Sequence, residues 1–178
     1  PKFDSEKALR RNGVTSWKEP FLEKKGSSMN QVLFLCTGNF YRSRVAEVLF
    51  NHFSQCSLPN WVALSRGFGV DRSPTRRISS SAASFLESEG FHEGLHRFPI
   101  GVEPGDFLWS DRIVALNEIE HRPTLENRFQ HWLNRIEFWN IPDIDQTSRS
   151  TALPKLEANV CELISVIKSE SAINATAC

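Results

Sequence analysis

Apolar residues fall along this chain in two alternating rhythms. Val32-Leu33-Phe34-Leu35 is a short unbroken apolar run, the pattern of a parallel strand buried on both faces. Beyond a Gly-containing loop, Val45, Val48, Leu49 and Phe53 recur at helical spacing within residues 43–53. Trp61-Val62-Ala63-Leu64 reads as a second strand, ended by a turn at Arg66-Gly67. Ile78, Ala82, Phe85 and Leu86 mark one face of a helix closed by Gly90, and Arg97-Phe98-Pro99-Ile100 reads as a short strand or extended loop. Residues 112–116 form another buried strand, 118–132 are mostly helical despite Pro123, and 135–139 make the last strand. Leu153, Leu156, Val160, Leu163, Ile164 and Ile167 line a long C-terminal helix. Strands alternating with helices predict an α/β fold, an open parallel sheet covered on both faces. Ligands bind such sheets at the carboxyl ends of the strands, which makes the first strand-to-helix loop the place to search.

Residues 1–28 lack this regularity. They mix charge with isolated aromatics (Phe3, Trp17, Phe21) and end in Lys24-Lys25-Gly26-Ser27-Ser28, just before Met29, the single methionine. The expectation is an N-terminal extension, disordered or vector-derived, followed by one domain over 29–178. The alternative is an arm docked through Trp17 and Phe21.

Composition narrows the class. The 178 residues are 40% hydrophobic and 24% charged with a formal net charge of zero, which suits one soluble domain and does not suggest a nucleic-acid binder. Cys36, Cys56, Cys161 and Cys178 form neither a C-x-x-C pair nor a dense disulfide framework, which fits a reducing compartment. No apolar run reaches the roughly 18 residues of a membrane span, and residues 1–28 contain no signal-peptide core. The chain reads as cytoplasmic.

The chemistry sits in Cys36-Thr37-Gly38-Asn39-Phe40-Tyr41-Arg42-Ser43, directly between the first strand and the first helix. A thiol titrates near 8.5 in water, and only the thiolate attacks. Unpaired N–H groups and the positive dipole end at a helix N-terminus favour an anion, and they can equally surround a phosphate. Gly38 and Asn39 are residue types that tolerate the positive φ of a tightly curled loop. Arg42 offers a planar fork to two phosphate oxygens, and the Ser43 hydroxyl can hydrogen-bond the sulfur. A lone cysteine after a strand is in most proteins a small buried hydrophobe. The immediate succession of apolar strand, Cys, Gly-Asn, Arg-Ser and amphipathic helix points instead to a nucleophile on a phosphate-binding loop.

The text VLFLCTGNFYRSRVAE resembles the signature of the low-molecular-weight protein-tyrosine phosphatases and their thioredoxin-linked arsenate-reductase relatives: a strand, a Cys-x5-Arg-Ser loop containing Gly-Asn, and then Ala-Glu, here Ala46-Glu47. Ser65-Arg66-Gly67 resembles the family's Ser-x-Gly, and 107–114 its Asp-led fourth segment, so the likeness spans roughly residues 30–170. It implies a flavodoxin-like three-layer sandwich of phosphotyrosine phosphatase I type, with a four-stranded parallel sheet in the order 2-1-3-4. It also implies a phosphocysteine cycle without metal or cofactor, acting on a phosphorylated protein or small aryl phosphate, with no nucleic-acid or membrane partner. Oligomeric state is left open between monomer and weak dimer.

The family takes its proton donor from a loop after the last strand. Here that text is Phe138-Trp139-Asn140-Ile141-Pro142-Asp143-Ile144-Asp145, and Asp143 falls at the matching position. The proline usual after it is replaced by Ile144, which makes Asp145 a rival. Arsenate reduction in the relatives needs two further cysteines after the third or fourth strand, and residues 66–140 contain none. The loop cysteine that many relatives carry before the arginine is Tyr41 here, so redox protection of Cys36 is not expected; Cys56 and Cys161 are expected to pack in helices. Phosphoarginine-directed relatives place threonine where this chain has Phe40, and a bulky apolar residue there suits an aryl phosphate. Phe107, Trp109 or Trp139 is the expected aromatic wall, with core packing the alternative for each. His52, His92, His96, His121 and His131 read as structural or surface residues. A non-catalytic phosphate-binding module, a thiol phosphocarrier and a sulfurtransferase are the remaining alternatives.

Overall fold

The computed structural model describes residues 29–70, 77–92, 95–143 and 149–176, with the side chains of 149–151 and 174–176 excepted. The extension at 1–28, the rival Asp145, and Ile144 and Cys178 lie outside the described residues.

Four strands, β1 (Asn30–Cys36), β2 (Trp61–Gly67), β3 (Arg112–Ala115) and β4 (Ile136–Phe138), form one sheet in the order β2-β1-β3-β4. Every pairing in it is parallel. Among the described residues five helices accompany them: α1 (Arg42–Ser54), α2 (Ser80–Ser88), α3 (Pro104–Trp109), α4 (Glu118–Arg128) and α5 (Arg149–Thr176), with a 3-10 turn at Gln130–Arg135. Alternation along β1 explains the layers. Val32, Phe34 and Cys36 point into one core with Val45, Leu49 and Phe50 of α1 and Leu156, Val160 and Ile167 of α5. Leu33 and Leu35 point the other way, against Phe107 of α3, Leu125 of α4, and Phe129 and Trp132. A central strand loaded on both faces needs helices on both sides, hence the three layers.

Several boundaries differ from expectation. The turn expected at Arg66-Gly67 is instead the end of β2, which stays paired with β1 through Gly67. Residues 97–100 are an extended loop, tied to the sheet edge by a bridge between Gly67 and Gly101. Helix α3 has only six residues, too short for a periodic pattern. Its start is written in Glu103-Pro104, with Asp106 closing a capping box on Glu103. Gly90 ends the α2 region at φ +81, a conformation that suits glycine.

Register brings the strand ends together. Cys36 lies opposite Gly67, Leu35 opposite Ala115, and Ala115 opposite Phe138, so the loops after all four strands open on one edge.

Candidate active site

The loop from Cys36 to Ser43 is shaped from beneath by Asn39. This residue takes φ +54, the left-handed region that Asn tolerates better than most residues. Its side-chain amide donates to Ser43 Oγ (3.0 Å) and Ser65 Oγ (2.8 Å), and its carbonyl oxygen accepts from the Ile100 N–H at 2.9 Å. Asn39 therefore ties the loop to β2 and to the 97–100 segment at once. Gly38 does not share its positive φ. It makes room instead, since a Cβ there would lie 2.9 Å from Phe40 Cδ2. The Ser65-x-Gly67 text acquires two reasons. Ser65 is fully buried under Asn39, and a Cβ on Gly67 would lie 2.9 Å from both Asn39 N and Thr37 O.

Two polar groups converge on the buried sulfur of Cys36. Ser43 Oγ lies 2.9 Å from Sγ, and the Asn39 backbone N–H donates to it at 3.2 Å. Tyr41, at the N-cap of α1, makes no side-chain cap; its carbonyl accepts from the Arg44 and Val45 amides at 3.1 and 3.0 Å, and the start of the helix adjoins the loop, where an anion is favoured.

Arg42 is 1% exposed and fixed from several directions. Its Nη1 and Nη2 donate to Glu120 Oε1 (3.1 Å) and Oε2 (2.8 Å), a bidentate pair, while Nη1 also reaches the Ile141 carbonyl at 3.2 Å. Nη2 donates to Asp143 Oδ2 at 2.6 Å. Cys36 and Arg42, from one loop, and Asp143, from a stretch about a hundred residues later, thus meet at the carboxyl edge of the sheet.

Two residues that sequence reasoning missed join them. Glu120 is set by the start of α4, where Asn117 caps the helix by accepting from the Glu120 N–H. Burial pushes its carboxyl up, but the hydrogen bonds and charge of Arg42 outweigh that and hold it below its ordinary range. His121, expected to be a structural or surface residue, is buried, and it lies beside the loop. Its Nδ1 accepts from the Asn117 N–H at 3.1 Å, which places the ring proton on Nε2, 3.4 Å from Thr37 Oγ1. Burial, and then the charge of Arg42, push His121 down to about 4, so the ring is neutral at physiological pH.

A second cluster lies on the other side of the loop. Arg44 is buried, donating to the Arg97 carbonyl at 3.0 Å, and Arg97 Nη2 reaches Glu47 Oε2 (2.6 Å) and Ser65 Oγ (3.0 Å). Ser65 donates to the same Glu47 oxygen at 2.6 Å, connecting the cluster to Asn39. Burial and the neighbouring Arg97 charge lower Arg44 to about 10, partly offset by Glu47, so it stays cationic. Glu47 belongs to the Ala-Glu pair of the sequence signature, which gives that pair a physical purpose.

The aromatic expectations are revised. Phe107 and Trp139 are core residues, Trp139 packing on Phe34 at 5.6 Å between centroids. Trp109 is 56% exposed, but it precedes β3 and so lies at the amino edge of the sheet, away from the site. Cys56 is exposed in the turn after α1, and Cys161 is exposed on α5, so neither is packed as expected. Half-buried Phe40 remains as the aromatic side chain of the loop. A shallow groove of about 370 Å³ opens beside Thr37, between Phe68-Gly69 and the Pro123, Asn127 and Arg128 side of α4.

Comparison with known proteins bears on the fold and the family. No curated protein matches the sequence. Among solved structures, the chain is similar to YfkJ from Bacillus subtilis (22% identity, TM-score 0.71, covering 82% of this chain and 98% of that one). It is also similar to a low molecular weight phosphotyrosine phosphatase from Vibrio cholerae (20%, TM-score 0.68, 79% and 98%). A third similar structure is the YwlE arginine phosphatase from Geobacillus stearothermophilus (19%, TM-score 0.67, 80% and 96%). At these identities the likeness carries the fold. The sequence profile of low molecular weight phosphotyrosine protein phosphatases matches residues 31–172, and with most of its length so covered the chain belongs to that family of phosphatases.

Proposed function

We propose that this chain hydrolyses aryl phosphate monoesters, phosphotyrosine foremost, through a phosphocysteine on Cys36 and without a metal ion. The observation that carries the reading is the convergence of Cys36 Sγ, the Arg42 fork and the Asp143 carboxylate at one end of the first strand.

In the first step the Cys36 thiolate attacks phosphorus, and the bond to the leaving oxygen breaks as protonated Asp143 gives that oxygen its proton. The loop amides and Arg42 hold the equatorial oxygens, where charge spreads in the transition state. Ser43 Oγ, already 2.9 Å from Sγ, solvates the sulfur as it attacks and later as it leaves. In the second step the Asp143 carboxylate takes a proton from water, which displaces the sulfur and releases phosphate. Arg42 Nη2 donates to Asp143 a hydrogen that the substrate's phosphoryl oxygen would take over, turning Asp143 toward the leaving group.

Phe40 at the rim supports an aryl leaving group over a guanidinium. The opposing consideration is that Glu120 and Asp143 place two carboxylates at the mouth, which would suit a cationic leaving group such as phosphoarginine. Hydrolysis of p-nitrophenyl phosphate at mildly acidic pH, without metal, tests the main reading. Wild type is expected to turn over, Cys36→Ser to be inactive, and Asp143→Asn to lose about 10²–10⁴-fold in kcat. Phosphate or vanadate binding without turnover would reduce the site to a binding device, and faster hydrolysis of phosphoarginine than of phosphotyrosine would reverse the substrate order.

A further inference from the structure

We propose that Glu120 is a positioning residue for catalysis, a brace that fixes the plane of the Arg42 guanidinium; the proposal rests on the phosphatase reading above. Arg42 offers five N–H donors on two bidentate edges. Glu120 takes the edge between Nη1 and Nη2, with one oxygen on each nitrogen at 3.1 and 2.8 Å. The Ile141 carbonyl takes the remaining hydrogen of Nη1. What can turn to a phosphoryl group is then the edge between Nε and Nη2, whose Nη2 half bonds to Asp143. A planar group gripped along one edge presents the other in a single orientation.

The brace is itself built in. Glu120 is 23% exposed at its side chain against 2% for Arg42, so the carboxylate lies at the boundary of the site and the guanidinium beneath it. Thr37 Oγ1, on the loop, donates to Glu120 Oε2 at 3.4 Å, and His121 Nε2 lies 3.6 Å from the same oxygen. The backbone of Glu120 is fixed by the Asn117 cap. Helix α4 thus meets the phosphate loop through this carboxylate as well as through His121 Nε2, 3.4 Å from Thr37 Oγ1.

The chemistry that follows is specific. Glu120 partly neutralises Arg42, so it weakens rather than strengthens ground-state attraction for a phosphate dianion. Its benefit has to come from geometry, where a misplacement of about 1 Å costs about 10²-fold. A brace of this kind raises kcat and selectivity for a trigonal-bipyramidal transition state, and does not lower KM.

The test compares wild type with Glu120→Gln and Glu120→Asp on p-nitrophenyl phosphate, with inhibition by phosphate and by vanadate measured on each. Thermal melting identifies the folded fraction to which rates are normalised. Glu120→Gln is expected to lower kcat about 10- to 100-fold with KM unchanged or reduced, and to weaken vanadate about tenfold while phosphate binds equally or more tightly. Glu120→Asp keeps the charge but shortens the reach, and is expected to resemble Glu120→Gln; if it restores kcat, charge and not bracing is the cause and the proposal is overturned. Wild-type kcat and an unchanged vanadate-to-phosphate ratio in Glu120→Gln would also overturn it, as would a rise in KM alone. If wild type has no turnover, the phosphatase reading fails separately, and the vanadate-to-phosphate affinity ratio of the same proteins, read by calorimetry, still decides whether Glu120 orients Arg42.

Discussion

The phosphate loop lies between two charged clusters of opposite composition. On the α4 side one arginine, Arg42, is shared by two carboxylates, Glu120 and Asp143. On the α1 side two arginines, Arg44 and Arg97, share one carboxylate, Glu47. The first cluster opens to solvent at the carboxylates, at the mouth of the proposed active site. The second lies under the loop and is connected to it through Ser65 and Asn39. Excess negative charge around Arg42 suits proton delivery and orientation. The buried excess positive charge behind the loop costs desolvation, and its hydrogen bonds hold the loop's shape. The comparison therefore assigns chemistry to one side and architecture to the other.

Four substitutions or titrations can break that division. The largest effect is expected from Arg42→Lys, which keeps a charge but loses the fork: kcat/KM should fall about 10³-fold with little change in unfolding free energy. On the opposite side, Glu47→Gln leaves Arg44 and Arg97 without their carboxylate. A loss of about 3–4 kcal/mol is expected in urea unfolding, with kcat of the folded fraction changed only a few-fold. If Glu47→Gln instead abolished kcat at full stability, the division would be wrong.

His121 sharpens the acidic side. Its folded value near 4 lies below the ordinary 6.5, so the unfolded chain binds the extra proton between those values. Its contribution is complete above about pH 6.5 and is lost as pH falls toward 4, up to about 3 kcal/mol. His121→Gln should flatten that slope in unfolding measurements taken across the window. The smallest effect is expected from Gly67→Ala, whose Cβ would press on Asn39 N and Thr37 O. Displacing that loop backbone should cost about 2 kcal/mol, with a parallel loss of phosphate affinity read by calorimetry.

Much of this was written in the sequence where cause is local. The run Val32–Leu35, the Cys36–Ser43 loop and the helix after it are contiguous, so period and residue type reveal them directly. Asp143 was legible only through the family resemblance, which puts the proton donor in the loop after the last strand. Glu120 was not, since it stands 78 residues from its partner on a polar helix whose surface carboxylates look alike. Its one local signal is Asn117 three residues before it, which marks a cap and not a site. His121 was missed for the same reason: burial of a polar ring is decided by which helix docks where. Gly38 and Asn39 were both candidates for positive φ, and only the side-chain bonds to Ser43, Ser65 and Ile100 show why Asn39 takes it.

The most direct measurement is to trap the covalent intermediate. Asp143→Asn, which should also slow hydrolysis of the phosphoenzyme, is mixed with radiolabelled aryl phosphate, quenched in acid and digested. The account expects label on the peptide containing Cys36, and none when Cys36→Ser is added. Turnover with no label on that peptide, or label retained after Cys36→Ser, would contradict it.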